Sequence, residues 1–165
     1  CVLQLVNSDI PFAERLKCGA QLCDILENTS IDDELKEEVP LIFVSIQKFL
    51  CETEIQFIKE APLQRLRYIS LEILQKIRNA DYFRQHAISL LSLLFKHVEQ
   101  DNEENVLLCI KIVIDVYKLY RPHFSSDVTN FLNFVHRVYR NVKNQMFNIF
   151  KQQEILELPT IHDLK

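Results

Sequence analysis

Glycine is nearly missing from this chain, with one residue, Gly19, in 165. Average usage near ~7% would give roughly a dozen. Phosphate-cradling loops, nucleophile elbows and dinucleotide turns all need glycine for close backbone approach or a positive φ. With one glycine, placed inside a helical pattern, those sites are excluded. Asn-Gly hairpin turns are missing too, which argues against an all-β fold. No apolar run reaches the ~18 uninterrupted residues of a membrane span, and no secretory signal opens the chain.

The usual metal and thiol signatures are missing as well. The five cysteines, Cys1, Cys18, Cys23, Cys51 and Cys109, are odd in number and contain no Cys-Xaa-Xaa-Cys pair, so free thiols in a reducing compartment are the better reading. Cys109 lies in an apolar stretch and reads as a small core residue. The five histidines, His86, His97, His123, His136 and His162, form no HExxH and read as surface or helix-end residues. Asp32, Asp33, Glu34, Glu37 and Glu38 read as a solvated helix start. Asp115 is the only carboxylate in an unusual setting, and Lys111 and Lys118 one turn to either side explain it as an ion-pair stripe. No catalytic residue, metal ligand or cofactor site is assigned. The net charge of −4 disfavours direct nucleic-acid binding.

What is present is helix. Asp101–Pro122, DNEENVLLCIKIVIDVYKLYRP, opens with an acidic, amide-rich turn and then carries apolar residues on nearly every side. Asn102 suits the cap, Glu103 and Glu104 the positive helix end, and Pro122 the stop. So apolar a helix is expected to lie sandwiched between neighbours, as an inner helix of stacked hairpins does. The remaining pattern predicts helices over 11–28, 34–51 (with Pro40 breaking or kinking it, so that 41–51 is firm), 62–77, 84–99, 125–141 and 142–153. Inward faces are expected at Phe12, Leu16, Cys23 and Leu26; at Leu66, Ile69, Ile73 and Ile77; and at Ile88, Leu91, Phe95 and Val98. Residues 29–33 read as a turn. Helices opening near Pro62 and Glu103 lie ~41 residues apart, within the spacing of HEAT-type repeats. The expected fold is all-α, a HEAT-like α-solenoid of stacked antiparallel helix pairs over 1–153, with a loose tail at 154–165. A closed helical bundle is the alternative architecture.

Three blocks carry a resemblance: Glu54–Leu74 (EIQFIKEAPLQRLRYISLEIL), the helix opening NEENVLLC with its closing RP, and Phe131–Tyr139 (FLNFVHRVY). Together they resemble the N-terminal region of the TRRAP (transformation/transcription domain-associated protein) family, over roughly Phe12 to Phe150. The resemblance implies a nuclear, non-catalytic HEAT-repeat scaffold of histone acetyltransferase coactivator complexes, from a family whose distant kinase-like region has lost catalytic residues. The implied partners are following helical repeats of the same subunit, acetyltransferase-complex subunits and acidic transcription activators. A chain that opens on Cys1 and ends in a polar tail reads as a segment of something longer. A free-standing HEAT- or armadillo-type adaptor and a small all-helical enzyme are the other functional readings.

One region bears on binding. From Lys111 to Lys151 there are seven basic residues against Asp115 and Asp127, interleaved with eight aromatics. The plain reading is aromatic core beneath a solvated basic face. The sharper reading is a groove for an acidic, amphipathic peptide, in which basic groups steer and apolar pockets hold. Arg137, Arg140 and Lys143, with Phe134 and Tyr139, are the candidate protein-binding residues.

Overall fold

The computed structural model describes residues 1–28, 37–58, 61–77, 81–120 and 128–156. The expected turn at 29–33, Pro122 as a helix stop, the residues His123, Asp127 and His162, and the tail from 157 lie outside them. The described residues are all-α: seven α-helices, one 3-10 helix and no strand. The chain divides into two compact units, Cys1–Pro122 and His123–Lys165.

In the first unit, α1 (Val2–Val6) leads into α2 (Phe12–Asn28), followed by α3 (Glu38–Glu52), α4 (Pro62–Ile77), a 3-10 turn (Asp81–His86), α5 (Ala87–Gln100) and α6 (Glu103–Tyr120). α4 is the centre. It packs on α2 to one side, on α6 to the other, and also on α3, while α5 folds back against α6. Pro62 opens α4 at a position where its missing N–H costs nothing. Leu66, Ile69, Ile73 and Ile77 are all buried, as the period of the sequence predicts. Lys76 Nζ donates to Glu27 Oε2 at 2.8 Å, tying the ends of α4 and α2. An edge-to-face pair, Phe43 with Phe83 at 5.3 Å between centroids, seats the 3-10 turn on α3.

Pro40 does not break its helix. It lies in the first turn of α3, where no intrahelical N–H is required of it, and Val39, Ile42, Phe43, Ile46, Phe49 and Leu50 form one buried seam. α2 buries Arg15, Gly19, Leu22 and Leu26, a face rotated from the expected one, and Phe12 is exposed. α5 differs in the same way. Leu91 is buried as expected, but Ile88 is 56% exposed and the seam runs through Ala87, Leu90, Leu94 and His97. The 3-10 winding of 81–86 has fewer residues per turn than an α-helix, and so resets the phase at which α5 begins.

α6 begins as expected. Asn102 Oδ1 accepts from the backbone N–H of Asn105 at 3.1 Å, capping the helix. Its interior differs from expectation: α4 and α5 cover Leu108, Cys109, Ile112, Val113 and Val116, while Leu107, Ile110, Ile114 and Leu119 are exposed. Lys118 lies 3.9 Å from Asp115, one arm of the expected stripe.

The second unit holds α7, Val128–Leu156. The sequence pattern predicts two helices over this stretch, meeting between Asn141 and Val142. The observed helix is continuous, because 128–156 contains neither glycine nor proline and the apolar period passes through the expected joint in phase.

Candidate protein-binding site

All five candidate binding residues lie on α7, so the regular rise and turn of one helix fix their relations. At about 100° per residue, Leu132, Val135, Val138, Tyr139, Val142, Met146, Ile149 and Phe150 fall within one face. Every one of these is exposed. Arg137, Arg140 and Lys143 step round the helix by about 60° each, from the far side toward the edge of this apolar face. Lys143 and Tyr139 meet there. Both line a shallow cavity of about 380 Å³ with Val142, Asn144, Met146 and Phe147. Arg137, Arg140 and Phe134 are not among its lining residues. Arg140 Nη2 lies 2.9 Å from His136 Nε2, one turn earlier. Lys151 Nζ stands 6.0 Å over the Phe147 ring, a cation–π contact that keeps a second charge beside the apolar face. α7 is therefore a basic amphipathic helix with an open aromatic and aliphatic stripe.

The first unit contains a polar cluster that the sequence pattern does not reveal. Arg67, wholly buried on α4, reaches across to the end of α3 and the turn between α5 and α6. Its Nη1 donates to the Leu50 carbonyl at 3.0 Å, the Thr53 carbonyl at 3.0 Å and Thr53 Oγ1 at 2.7 Å. Its Nη2 donates to Asp101 Oδ2. The other carboxylate oxygen, Oδ1, accepts from the Asn102 backbone at 2.9 Å, from Asn102 Nδ2 at 3.1 Å and from Asn105 Nδ2 at 2.9 Å. His97 Nδ1 approaches Asp101 Oδ2 at 3.2 Å from one turn earlier on α5. Asn102 Nδ2 also donates to the Gln56 carbonyl at 3.1 Å.

One arginine and one aspartate thus join α3, α4, α5, α6 and the segment after α3. Burial pushes the Asp101 carboxyl up, but hydrogen bonds from His97, Arg67 and Asn105 outweigh it and hold the group well below the usual carboxylate range. Arg67 Nε, His97 Nε2 and Asn105 Oδ1 are buried without a protein partner. The cluster is enclosed and has its charges paired, which suits it to holding helices rather than to turning over a substrate. His97, read from the sequence as a surface or helix-end residue, stands in the last turn of α5 but is buried. The available signal was position: it stands ten residues after Ala87, in phase with the buried seam of α5.

The thiols are equally quiet. All five cysteines are free. Burial first, then the charge of Asp101, pushes Cys109 up to about 12, and burial followed by Glu72 pushes Cys23 up to about 11. Among the described residues no group of His, Cys, Asp and Glu is arranged to hold a metal ion, and no helix is long and apolar enough to cross a membrane.

No family model matches the chain, and no solved structure matches it. Curated relatives do. A transformation/transcription domain-associated protein of Danio rerio is 30% identical over 160 residues, 97% of this chain. Transcription-associated protein 1 of Drosophila melanogaster is 34% identical over 134 residues, 81% of this chain. The chain belongs to the TRRAP family. The family extends to Saccharomyces cerevisiae, where a SAGA complex/NuA4 acetyltransferase complex subunit is 23% identical over 148 residues, 87% of this chain. The chain spans only 4% of the length of the Danio rerio relative and 3% of the Drosophila melanogaster one. Arg67, Asn102 and Asn105, all members of the buried cluster, lie within the sequence blocks that carry the resemblance to the TRRAP family.

Proposed function

We propose that this chain is a non-catalytic scaffold segment of a transcription coactivator subunit that works in histone acetyltransferase complexes in the nucleus. In this reading residues 1–153 belong to a HEAT-like stretch of stacked helix pairs. Its work is protein contact with further helical repeats, with complex subunits and with acidic transcription activators. Family membership supports the coactivator setting. The row α2, α4, α6, with α4 between its neighbours, supports a stacked array.

The observation that carries the binding part is α7, whose exposed apolar stripe has Lys143 at its edge, with Arg140 and Arg137 stepping away from it round the helix and Lys151 over the Phe147 ring. An acidic amphipathic helix matches it in both charge and periodicity. Basic groups would speed the encounter, and burial of aromatic and aliphatic side chains around Phe134, Tyr139, Met146 and Phe147 would slow release.

The test replaces Arg137, Arg140 and Lys143 together with Glu and titrates a labelled acidic activation-domain peptide. The expected result is affinity reduced at least tenfold at low salt, with a smaller difference at moderate salt because exposed charges are screened. Helicity should be unchanged. Equal affinity in a folded triple variant would remove α7 as the activator site.

A further inference from the structure

The first unit contains a second surface that family membership does not explain. Arg15 is only 5% exposed, yet it is a cation on the buried face of α2. Its Nε donates to the Leu5 carbonyl at 2.8 Å. Its guanidinium carbon lies 5.4 Å from the ring centroids of both Phe12 and Phe49. These contacts fix the plane of the group and leave its two terminal nitrogens without an acceptor among the described residues. No carboxylate pairs with it there. Burial alone pulls its pKa below the ordinary arginine value, with no neighbouring acid to offset the cost. The contrast with Arg67, whose charge is met by Asp101 and three further oxygens, is internal to the same unit.

Arg15 lines a cavity of about 590 Å³. Phe49, Leu3 and Leu63 give it apolar walls, and the Ser8 and Ser45 hydroxyls give it polar ones. Lys48 and Glu52, also at the cavity, pair with each other at 4.0 Å, so the charge left uncompensated is that of Arg15. We infer that this cavity is a docking site for a partner protein segment carrying a carboxylate side chain flanked by aliphatic or aromatic residues, with the carboxylate received by the fixed Arg15 guanidinium.

Three features select this occupant. A planar guanidinium presents paired donors that match a carboxylate. The hydroxyls can supply further donors to the same oxygens or to the peptide backbone. The volume and apolar walls exceed what a lone inorganic anion would fill, so neighbouring side chains of the ligand must occupy the rest. The site is independent of α7 and does not rest on the reading proposed for it.

The probe is an acetylated, amidated tetrapeptide, Leu-Glu-Phe-Leu, titrated into the nitrogen-15-labelled chain and compared with its glutamine counterpart, Leu-Gln-Phe-Leu. The expected result is a shift of the Arg15 Nε–H resonance and affinity at least tenfold higher for the glutamate peptide. Ser45→Trp, which fills the cavity without removing any Arg15 contact, should weaken the glutamate peptide at least tenfold at unchanged helicity. Arg15→Gln should make the two peptides equal; where that variant does not fold, Ser45→Trp and the peptide pair decide. Equal affinities for the parent chain, parent-like binding to folded Ser45→Trp, or the same Arg15 shift from sodium phosphate at equal concentration would each overturn the inference. Binding lost with the α7 charge reversal but kept in Ser45→Trp would overturn it too, and would leave the α7 proposal standing.

Discussion

Gly19 and Asp101 show how much of this fold depends on single residues that hydrophobicity does not mark. A Cβ at Gly19 would lie 2.6 Å from Ile69 Cγ2 and 3.1 Å from Leu5 Cδ1. The nearest atom belongs to a β-branched side chain that is buried and stiff. Gly19→Ala gains up to ~1 kcal/mol of helix propensity but overpacks the α2–α4 contact, typically at ~1–3 kcal/mol. A net loss is therefore expected in denaturant melts. Adding Ile69→Leu, which moves the branch off Cβ, should recover part of it; purely additive effects would mean that the close approach is not the cause. At Asp101, loss of the carboxylate strands Arg67 as a buried unpaired cation. Asp101→Asn is expected to destabilise the first unit by ~3–5 kcal/mol. The pH dependence comes from the depressed folded-state pKa. The stabilisation is fully present above the unfolded value near ~3.9 and is lost as pH falls below it toward the folded value. Acid titration of the parent should show a loss of stability below about pH 4, and Asp101→Asn should flatten that part of the curve. A parent with no acid-dependent slope would remove Asp101 from this role.

At the scale of elements, α6 gives the most direct test, because its two faces have separated. Val113 is 4% exposed and Ile110 is 39% exposed. Val113→Asp would bury a carboxylate beside α4 and α5, at a cost of several kcal/mol beyond ~1.5–3 kcal/mol of lost apolar burial. It should abolish the cooperative thermal transition. Ile110→Asp can turn its charge toward solvent and should cost about 1 kcal/mol. Similar melting of the two variants would show that α6 is covered on both sides or on neither. The sequence pattern puts both positions in the interior, since composition says how apolar a helix is but not which neighbours reach it. Helix existence was legible from α2 to α6, most fully in α4, where the Pro62 start, the Ile77 end and the buried face all agree with the period. Faces were less legible. In α2 the seam passes through Arg15 and Gly19, and in α5 through His97, so a search for apolar residues settled on adjacent rows. The Arg67–Asp101 cluster was invisible for the same reason: its members are polar and come from three helices and two connecting segments.

For the whole molecule, each of the two units presents apolar surface to solvent. The first exposes Leu107, Ile110 and Ile114 on α6, and the second exposes Leu132, Val135, Val142, Met146 and Phe150 on α7. Contiguous exposed stripes of this kind mark contact surfaces rather than ordinary scatter, and the relatives are proteins many times longer than this chain. Repeat segments separated from their neighbours lose the contacts that cover such faces. Reversible, concentration-dependent association of the isolated chain is therefore expected in sedimentation velocity, with helicity unchanged across the concentration range. The α7 stripe is the more apolar and the more continuous of the two. Val135→Lys, Val142→Lys and Met146→Lys together should shift the population toward monomer, since lysine keeps a high helix propensity while interrupting the stripe at three points along its length. Val135, Val142 and Met146 are all exposed, so melting should be little affected by the triple change. A parent chain that remains monomeric at every concentration and melts in one cooperative transition would instead place these side chains against each other inside a closed bundle. In that case the lysine variant would lower the melting temperature rather than the association, and the two measurements together separate an open array from a self-contained domain.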